Sequence, residues 1–270
     1  MLVSICIPTY NGEKFLQDAL DSCKNQSYRH IEVIISDDAS TDNTLEICKK
    51  FQETANFPVF IDNHNPAGIG ANWNNCVKKS NGEYVKFLFQ DDILQPDCIE
   101  RLVSYSQKRN LKAVCCKRHI IDGNSKEITS GEWYDFFGDL QKTINLYFSE
   151  FYLFRKKDLK YLWNTRLNIF GEPVTFLYKK QLFDEIGFFS ERSKQILDQE
   201  FSYRILQKYP IGIVEDKLIS FRHHNEQTSA KNVSEDIENE YTELLKMIVK
   251  NFYFYLPLKK QVKYLLLRKY

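Results

Sequence analysis

Within the first 121 residues, short apolar runs alternate with segments whose apolar residues recur at helical spacing. That alternation constrains the fold more than any other feature of the chain. Residues 2–7, 31–36, 59–61, 83–89 and 112–121 read as strands; residues 12–25, 41–54, 70–79 and 96–108 read as helices. In 12–25 the stripe is Phe15, Leu16, Ala19, Leu20 and Cys23, and in 41–54 it is Leu45, Ile47, Cys48 and Phe51. Strands alternating with helices at this interval form βαβ units, whose right-handed crossovers build a parallel sheet with helices on its faces. The strands are apolar nearly throughout, as burial on both faces demands. The expected class is α/β, with a mostly parallel, Rossmann-like sheet flanked by helices.

After residue 121 the alternation stops. Residues 122–145 are polar and contain glycine, and 145–164 are rich in Phe, Tyr and Leu with interspersed Lys and read as helical. A strand at 174–178, a short helix ending at Gly187, a helix at 195–209 and a strand at 211–219 follow. Residues 220–231 read as a polar loop carrying the adjacent His223 and His224. No repeat or low-complexity linker divides the chain, so the second half is expected to complete the sheet of the first. Residues 1–230 then form one domain in two halves, 1–121 and 122–230, and 231–270 a C-terminal helical extension.

Charge is uneven. The whole chain has 37 Lys+Arg and 36 Asp+Glu, a formal net charge of +1. That near-neutrality argues against a nucleic-acid binder, which is usually clearly basic. Residues 246–270 hold seven Lys/Arg and no Asp/Glu, so the remainder carries +1 − 7 = −6. Leu244, Leu245, Ile248, Phe252 and Tyr255 can share one helical face. Such a tail reads in two ways: as an amphipathic element on an anionic membrane surface, or as a helix packed on the domain with a solvated basic face. No apolar run approaches the ~18 residues of a membrane span, and the start lacks the basic n-region and cleavage site of a signal peptide. The seven cysteines are odd in number, include no CxxC, and all precede residue 117. They read as buried free thiols of a reducing, cytoplasmic protein.

In sheets of this class the ligand crevice lies beyond the carboxyl ends of the strands. The residues placed there are Pro8-Thr9-Tyr10-Asn11, Asp37-Asp38-Ala39-Ser40, Asn63-His64-Asn65 and Gln90-Asp91-Asp92. Adjacent carboxylates repel, and a donor group or a cation relieves the repulsion. A hard divalent cation often takes only one or two carboxylates plus substrate phosphates. A carboxylate after the second strand can accept from a nucleobase N–H or a ribose hydroxyl. Taken alone, each pair reads first as turn chemistry or helix capping.

Taken in order, the motifs resemble a known family. Val3-Ser4-Ile5-Cys6-Ile7-Pro8-Thr9-Tyr10-Asn11-Gly12 and Ile34-Ile35-Ser36-Asp37-Asp38-Ala39-Ser40-Thr41-Asp42 are similar to the first two motifs of family 2 glycosyltransferases with the GT-A fold. Asn81 to Leu88 followed by Asp91-Asp92 resembles the strand that leads to that family's DxD-type metal motif. Gly187-Phe188-Phe189-Ser190-Glu191, Asp198-Gln199-Glu200-Phe201-Ser202-Tyr203-Arg204 and Phe221-Arg222-His223-His224 resemble its acceptor-side and late-loop motifs. The likeness runs from about residue 2 to residue 230.

The resemblance implies inverting transfer of a sugar from a nucleoside-diphosphate sugar to a hydroxyl of a glycan or lipid-linked acceptor, in cell-surface polysaccharide synthesis. Residues 1–121 would hold the donor and 122–230 the acceptor. Pro8, Thr9, Tyr10 and Asn11 would line the nucleotide pocket, and Asp38, with Asp37 beside it, would accept from the N3–H of a uracil-type base. That position favours UDP, with dTDP open. Asp91 would hold the sugar or ribose, Asp92 a Mn²⁺ or Mg²⁺ ion, and His224 the diphosphate or the metal. Asp198 would be the general base, and Glu172-Pro173 would shape the acceptor side. Glu200, two residues on and ~200° round the helix, would make structural contacts instead.

Two departures stand out. Gln90 occupies the place of a third acid, and Asn72-Trp73-Asn74-Asn75 occupies a donor-side segment where some members carry Arg or Lys. Trp73, Trp133 and Trp163 read as packing residues before sugar platforms. A sugar-activating nucleotidyltransferase would need more glycine and basic residues after the first strand than Pro8 to Gly12 provide. A silent nucleotide-sugar-binding scaffold would be expected to have lost Asp92 or Asp198, and both are present.

Overall fold

The computed structural model describes residues 1–162, 164, 166–227 and 235–267. The chain opens β1 (Val3–Thr9), α1 (Leu16–Lys24), β2 (Ile31–Asp37), α2 (Thr44–Thr54), β3 (Val59–Asn63), α3 (Ile69–Lys79) and β4 (Tyr84–Phe87). It continues with β5 (Ile93–Leu94), α4 (Cys98–Arg109), β6 (Ala113–Ile121), α5 (Glu132–Phe137) and β7 (Phe151–Phe154). Then come β8 (Phe176–Lys179), α6 (Gln181–Ile186), α7 (Leu197–Lys208), β9 (Ile211–Arg222), α8 (Glu235–Phe252) and α9 (Leu258–Leu267).

The strands form one sheet in the order β3-β2-β1-β4-β8-β6-β9-β5, with β7 also paired to β9. Strands β3, β2, β1 and β4 are mutually parallel, as expected. The second half does complete this sheet, but as a mixed one: β8 lies antiparallel between β4 and β6, while β9 runs parallel to β6. Strand alternation sends Ile5 and Ile7 to the face covered by Leu16 and Leu20 of α1. It sends Cys6 and Phe87 to the opposite face, under Cys76 of α3 and Phe201 of α7. Burying each such large apolar side chain stabilises the fold by roughly 1.5–3 kcal/mol. All seven cysteines are buried and unbonded.

Three expectations need correction. Residues 145–164 are not a helix. They contain β7, antiparallel to the start of β9, and a 3-10 turn at Lys156–Tyr161. Arg155 ends the strand, its backbone N–H donating to Asp158 (2.8 Å). Trp163 lies outside the described residues. The 220–231 loop begins later than expected, because β9 continues to Arg222 alongside Ile121; positions 228–231 lie outside the described residues. Finally, α8 ends at Phe252 and a 3-10 turn follows, so Tyr255 leaves the helical face and is exposed. Leu244, Ile248, Phe252 and Leu256 are buried in the core cluster built on Phe201 and Tyr203. Phe254, Leu258 and Val262 stay exposed, at 85%, 77% and 59%.

Candidate active site

The carboxyl ends of β1 and β2 are laced together by side chains. Thr9 Oγ1 donates to Asp37 Oδ2 (2.8 Å), and the Ser40 N–H and hydroxyl donate to Asp37 Oδ1 and Oδ2 (2.9 and 2.6 Å). Asp37 is fully buried and its oxygens are committed to this turn. Ala39 has φ 62 and Asn11 φ 46, both left-handed. Asn11 earns that conformation by cross-linking the two loops: its N–H donates to Ser40 Oγ (2.9 Å) and its Oδ1 accepts from the Thr41 N–H (2.8 Å). Asp38 accepts from the N–H groups of Ala67 (2.6 Å) and Gly68 (3.0 Å) and lies 3.5 Å from His64 Nδ1. Each carboxylate oxygen has a further lone pair for a ligand donor. Asn72 is buried and donates to the Thr9 carbonyl (3.1 Å), while its Oδ1 faces His64 Nε2 (3.3 Å). Its amide braces the end of β1 from inside the protein.

Gln90, in place of a third acid, has its own task. Its Oε1 accepts from the Tyr10 N–H (2.9 Å) and its Nε2 donates to the Tyr10 carbonyl (3.1 Å). Tyr10 is left 56% exposed at the rim. Gly12 allows this approach, since a Cβ there would lie 2.3 Å from Gln90 Oε1.

Asp91 and Asp92 follow in the turn between β4 and β5. Asp92 is 1% exposed; its Oδ1 accepts from the Arg222 N–H (2.9 Å), while its buried Oδ2 has no partner. Burial first, and the adjacent Asp91 carboxylate second, push its carboxyl well above the ordinary range. Asp91 Oδ2 lies 3.0 Å from His224 Nε2. The His224 ring packs on Phe15 at 4.9 Å and its neighbour His223 stacks on Trp133 at 4.1 Å. Arg222, 1% exposed, binds the Asp91 carbonyl (2.8 Å), the Asp122 carbonyl (3.1 Å), Ser125 Oγ (2.9 Å) and Asp18 (2.9 Å).

A divalent cation fits this turn. An unpartnered buried carboxylate oxygen beside a second carboxylate is what such an ion relieves. Among the described residues no group of three or more His, Cys, Asp or Glu side chains is arranged to hold a metal alone.

Asp198 sits in the first turn of α7, its Oδ2 accepting from Asn168 Nδ2 (2.9 Å). The surrounding protein pushes its carboxyl up to about 6, against helix N–H groups and Arg118, which pull it down. Glu200, as expected, is structural: both of its oxygens accept from Arg204 (2.7 and 2.9 Å). Glu172 is ion-paired with Arg118, and Pro173 is buried at the start of a 3-10 turn. Trp73 is packed among Phe87, Phe89 and Phe189.

Two residues, Arg118 and Glu240, had no signal in the sequence, and a third, Arg222, entered only within the late-loop motif. Arg118, a strand residue 4% exposed, pairs with Glu172 and bonds the Phe137 carbonyl (2.9 Å). It feels the charges of both Asp92 and Asp198; burial lowers it to about 10, so it stays cationic at neutral pH. Arg222 is the keystone of the acidic turn, though it sits beside the two histidines that drew notice. Glu240 of α8 accepts from the N–H groups of Lys194 (2.7 Å), Gln195 (3.2 Å) and Ile196 (3.2 Å), fixing the turn that presents Asp198.

The structure is a mixed α/β sheet with paired acids beyond its strand ends, and sequence comparison supplies the class. Residues 4–187 match the family described as Glycosyl transferase family 2, and the chain belongs to that family of enzymes. An uncharacterized glycosyltransferase of Rickettsia typhi is 30% identical over 261 residues, covering 92% of this chain and 73% of that protein. Glycosyltransferase GlyG of Streptococcus pneumoniae is 27% identical over 228 residues, covering 82% and 70%. Among solved structures, S. aureus TarS 1-349 in complex with UDP-GlcNAc superposes with a TM-score of 0.70 at 21% identity, over 93% of this chain and 66% of that one. The mannosyltransferase PcManGT of Pyrobaculum calidifontis, in complex with GDP-Man and Mn2+, superposes with a TM-score of 0.58 at 17% identity, covering 82% and 56%. The chain thus spans just under two thirds of that TarS chain. The fold is GT-A.

Proposed function

We propose that the protein transfers a sugar, with inversion, from a nucleoside-diphosphate sugar to a hydroxyl of a glycan or lipid-linked acceptor. The observation that carries the reading is Asp198, a carboxylate tuned to about 6 and aimed by Asn168. A general base works best near the operating pH and contributes typically ~10²–10⁴-fold. Asp198 takes the acceptor proton as the hydroxyl attacks. Asp38 and the Pro8–Asn11 turn hold the nucleotide. A remaining lone pair on the Asp38 carboxylate could accept the N3–H of a uracil-type base, which favours UDP; the similar TarS 1-349 structure is a complex with UDP-GlcNAc. Asp91 takes the ribose or sugar, with His224 beside it. Asp92 would hold a Mn²⁺ or Mg²⁺ ion, which when bound would supply charge stabilisation for the departing diphosphate.

In this reading residues 1–121 hold the donor and 122–230 the acceptor, with Glu172 and Pro173 shaping the acceptor side. Exposed Phe254, Leu258 and Val262 among the lysines of the C-terminal segment support a peripheral site on the inner, anionic face of the cytoplasmic membrane. No helix among the described residues is long and apolar enough to cross a membrane. The proposed role in surface-polysaccharide synthesis rests on analogy with the family. The test is UDP release from a panel of UDP-sugars with Mn²⁺, repeated with Asp198→Asn. Turnover lost with nucleotide affinity kept supports the proposal; unchanged turnover removes Asp198 from the reaction.

A further inference from the structure

Beside the site a cleft of about 280 Å³ opens where β6 and β9 lose register. Cys116 pairs with Val214 but Lys117 with Lys217, so Glu215 and Asp216 bulge out of the ladder. The bulge turns the neighbouring side chains Lys117 and Arg118 into one cleft. Tyr134, Lys142, Tyr147 and Lys217 complete its polar and aromatic wall.

Its charges do not cancel. The two acids of the lining, Asp139 and Glu215, are both held by Lys117 (2.9 and 2.8 Å). Arg118 is paired with Glu172. Lys142 and Lys217 are exposed, and neither has an ion pair or side-chain hydrogen bond among the described residues. Two buried atoms at the cleft also lack partners: Arg118 Nε, a donor, and Glu215 Oε2, an acceptor. Arg118 is 4% exposed. Tyr147 is 70% exposed, offering a flat ring of the kind on which sugar faces stack.

The cleft is wired to the base. Arg118 binds Glu172; Gly171, next to Glu172, offers its carbonyl to Asn168 Nδ2 (3.1 Å), and the same Asn168 holds Asp198. We infer that this cleft is an acceptor subsite for an acidic glycan, whose oxyanion meets Lys142 and Lys217 while a sugar face packs on Tyr147. The inference rests on the transferase reading above and deepens it by giving the acceptor a charge. The oxyanion is either a phosphodiester joining polyols or a uronate carboxylate; the cleft's chemistry is common to both.

The test needs no turnover. A glycerol phosphate trimer, trigalacturonate and neutral maltotriose are titrated into the full chain by calorimetry, with UDP and Mn²⁺ titrated separately. At least one acidic trimer is expected to bind, more weakly as salt rises from about 0.05 to about 0.5 M, and which one does identifies the oxyanion. Lys142→Gln combined with Lys217→Gln should weaken it by about tenfold, as two exposed charge contacts allow, and leave UDP binding unchanged. Both lysines are exposed, so the fold should tolerate the change. Maltotriose binding as tightly as the acids, no acidic trimer binding, or an unaltered affinity in the double variant would each overturn the inference. UDP binding without acid binding overturns the cleft alone; acid binding without UDP binding keeps the cleft and overturns the donor reading.

Discussion

Replacing Asp198 by asparagine should make the protein more stable at neutral pH, although it removes the proposed base. The folded-state carboxyl is raised from 3.8 to about 6, chiefly by burial. A raised acid means that the native state binds its proton more tightly than the unfolded chain does. Stability is therefore full below about pH 4 and declines as pH rises through about 6. About two pH units at ~1.4 kcal/mol each give a penalty on the order of 3 kcal/mol above pH 7. Asparagine stays neutral and can still accept from Asn168, so it escapes the penalty. Urea denaturation of both proteins at pH 4 and pH 8 measures this. The variant should match the wild type at pH 4 and exceed it at pH 8. A variant equally or less stable at pH 8 would show that Asp198 is not held at an electrostatic cost. The same ionisation gives a wild-type rate that climbs through about pH 6 and then levels.

Arg222→Ala should destabilise by about 1–3 kcal/mol, because it removes the donor shared by the Asp91 and Asp122 carbonyls and leaves a cavity in their place; a loss under about 0.5 kcal/mol in the same denaturation assay would refute the keystone role. Deleting residues 246–270 is a poor test of membrane docking, since Ile248, Phe252 and Leu256 belong to the core. Phe254→Ser with Leu258→Ser touches exposed side chains only. That pair should reduce sedimentation with phosphatidylserine vesicles without altering UDP affinity, and undiminished sedimentation would end the membrane proposal.

The parallel half of the sheet was legible because its strands are apolar on both faces and its helices striped. Those two periods cannot be confused over four successive units. Residues 145–164 were misread because Phe151 to Phe154 is a short, wholly apolar run. Such a run suits strand and helix alike, and only antiparallel pairing with distant β9 selects the strand. The acidic pairs were legible as loops beyond strand ends, and Glu200 as structural from helical phase alone. Arg118 and Arg222 were not, because a lone cation inside a strand reads as an exposed edge residue. Their burial depends on carboxylates and carbonyls up to 204 positions away, as with Arg222 and Asp18. Glu240 was hidden for the same reason: the turn it holds belongs to a different segment.

The central claim is that Asp38 and Asp92 form one metal-assisted nucleotide site. Its most direct test is calorimetric titration of UDP with and without Mn²⁺, on the wild type and on Asp92→Asn. The account predicts binding that Mn²⁺ strengthens in the wild type, and a loss of that strengthening in the variant. Equal affinity with and without Mn²⁺ in both proteins, or no binding by folded wild type, would contradict it.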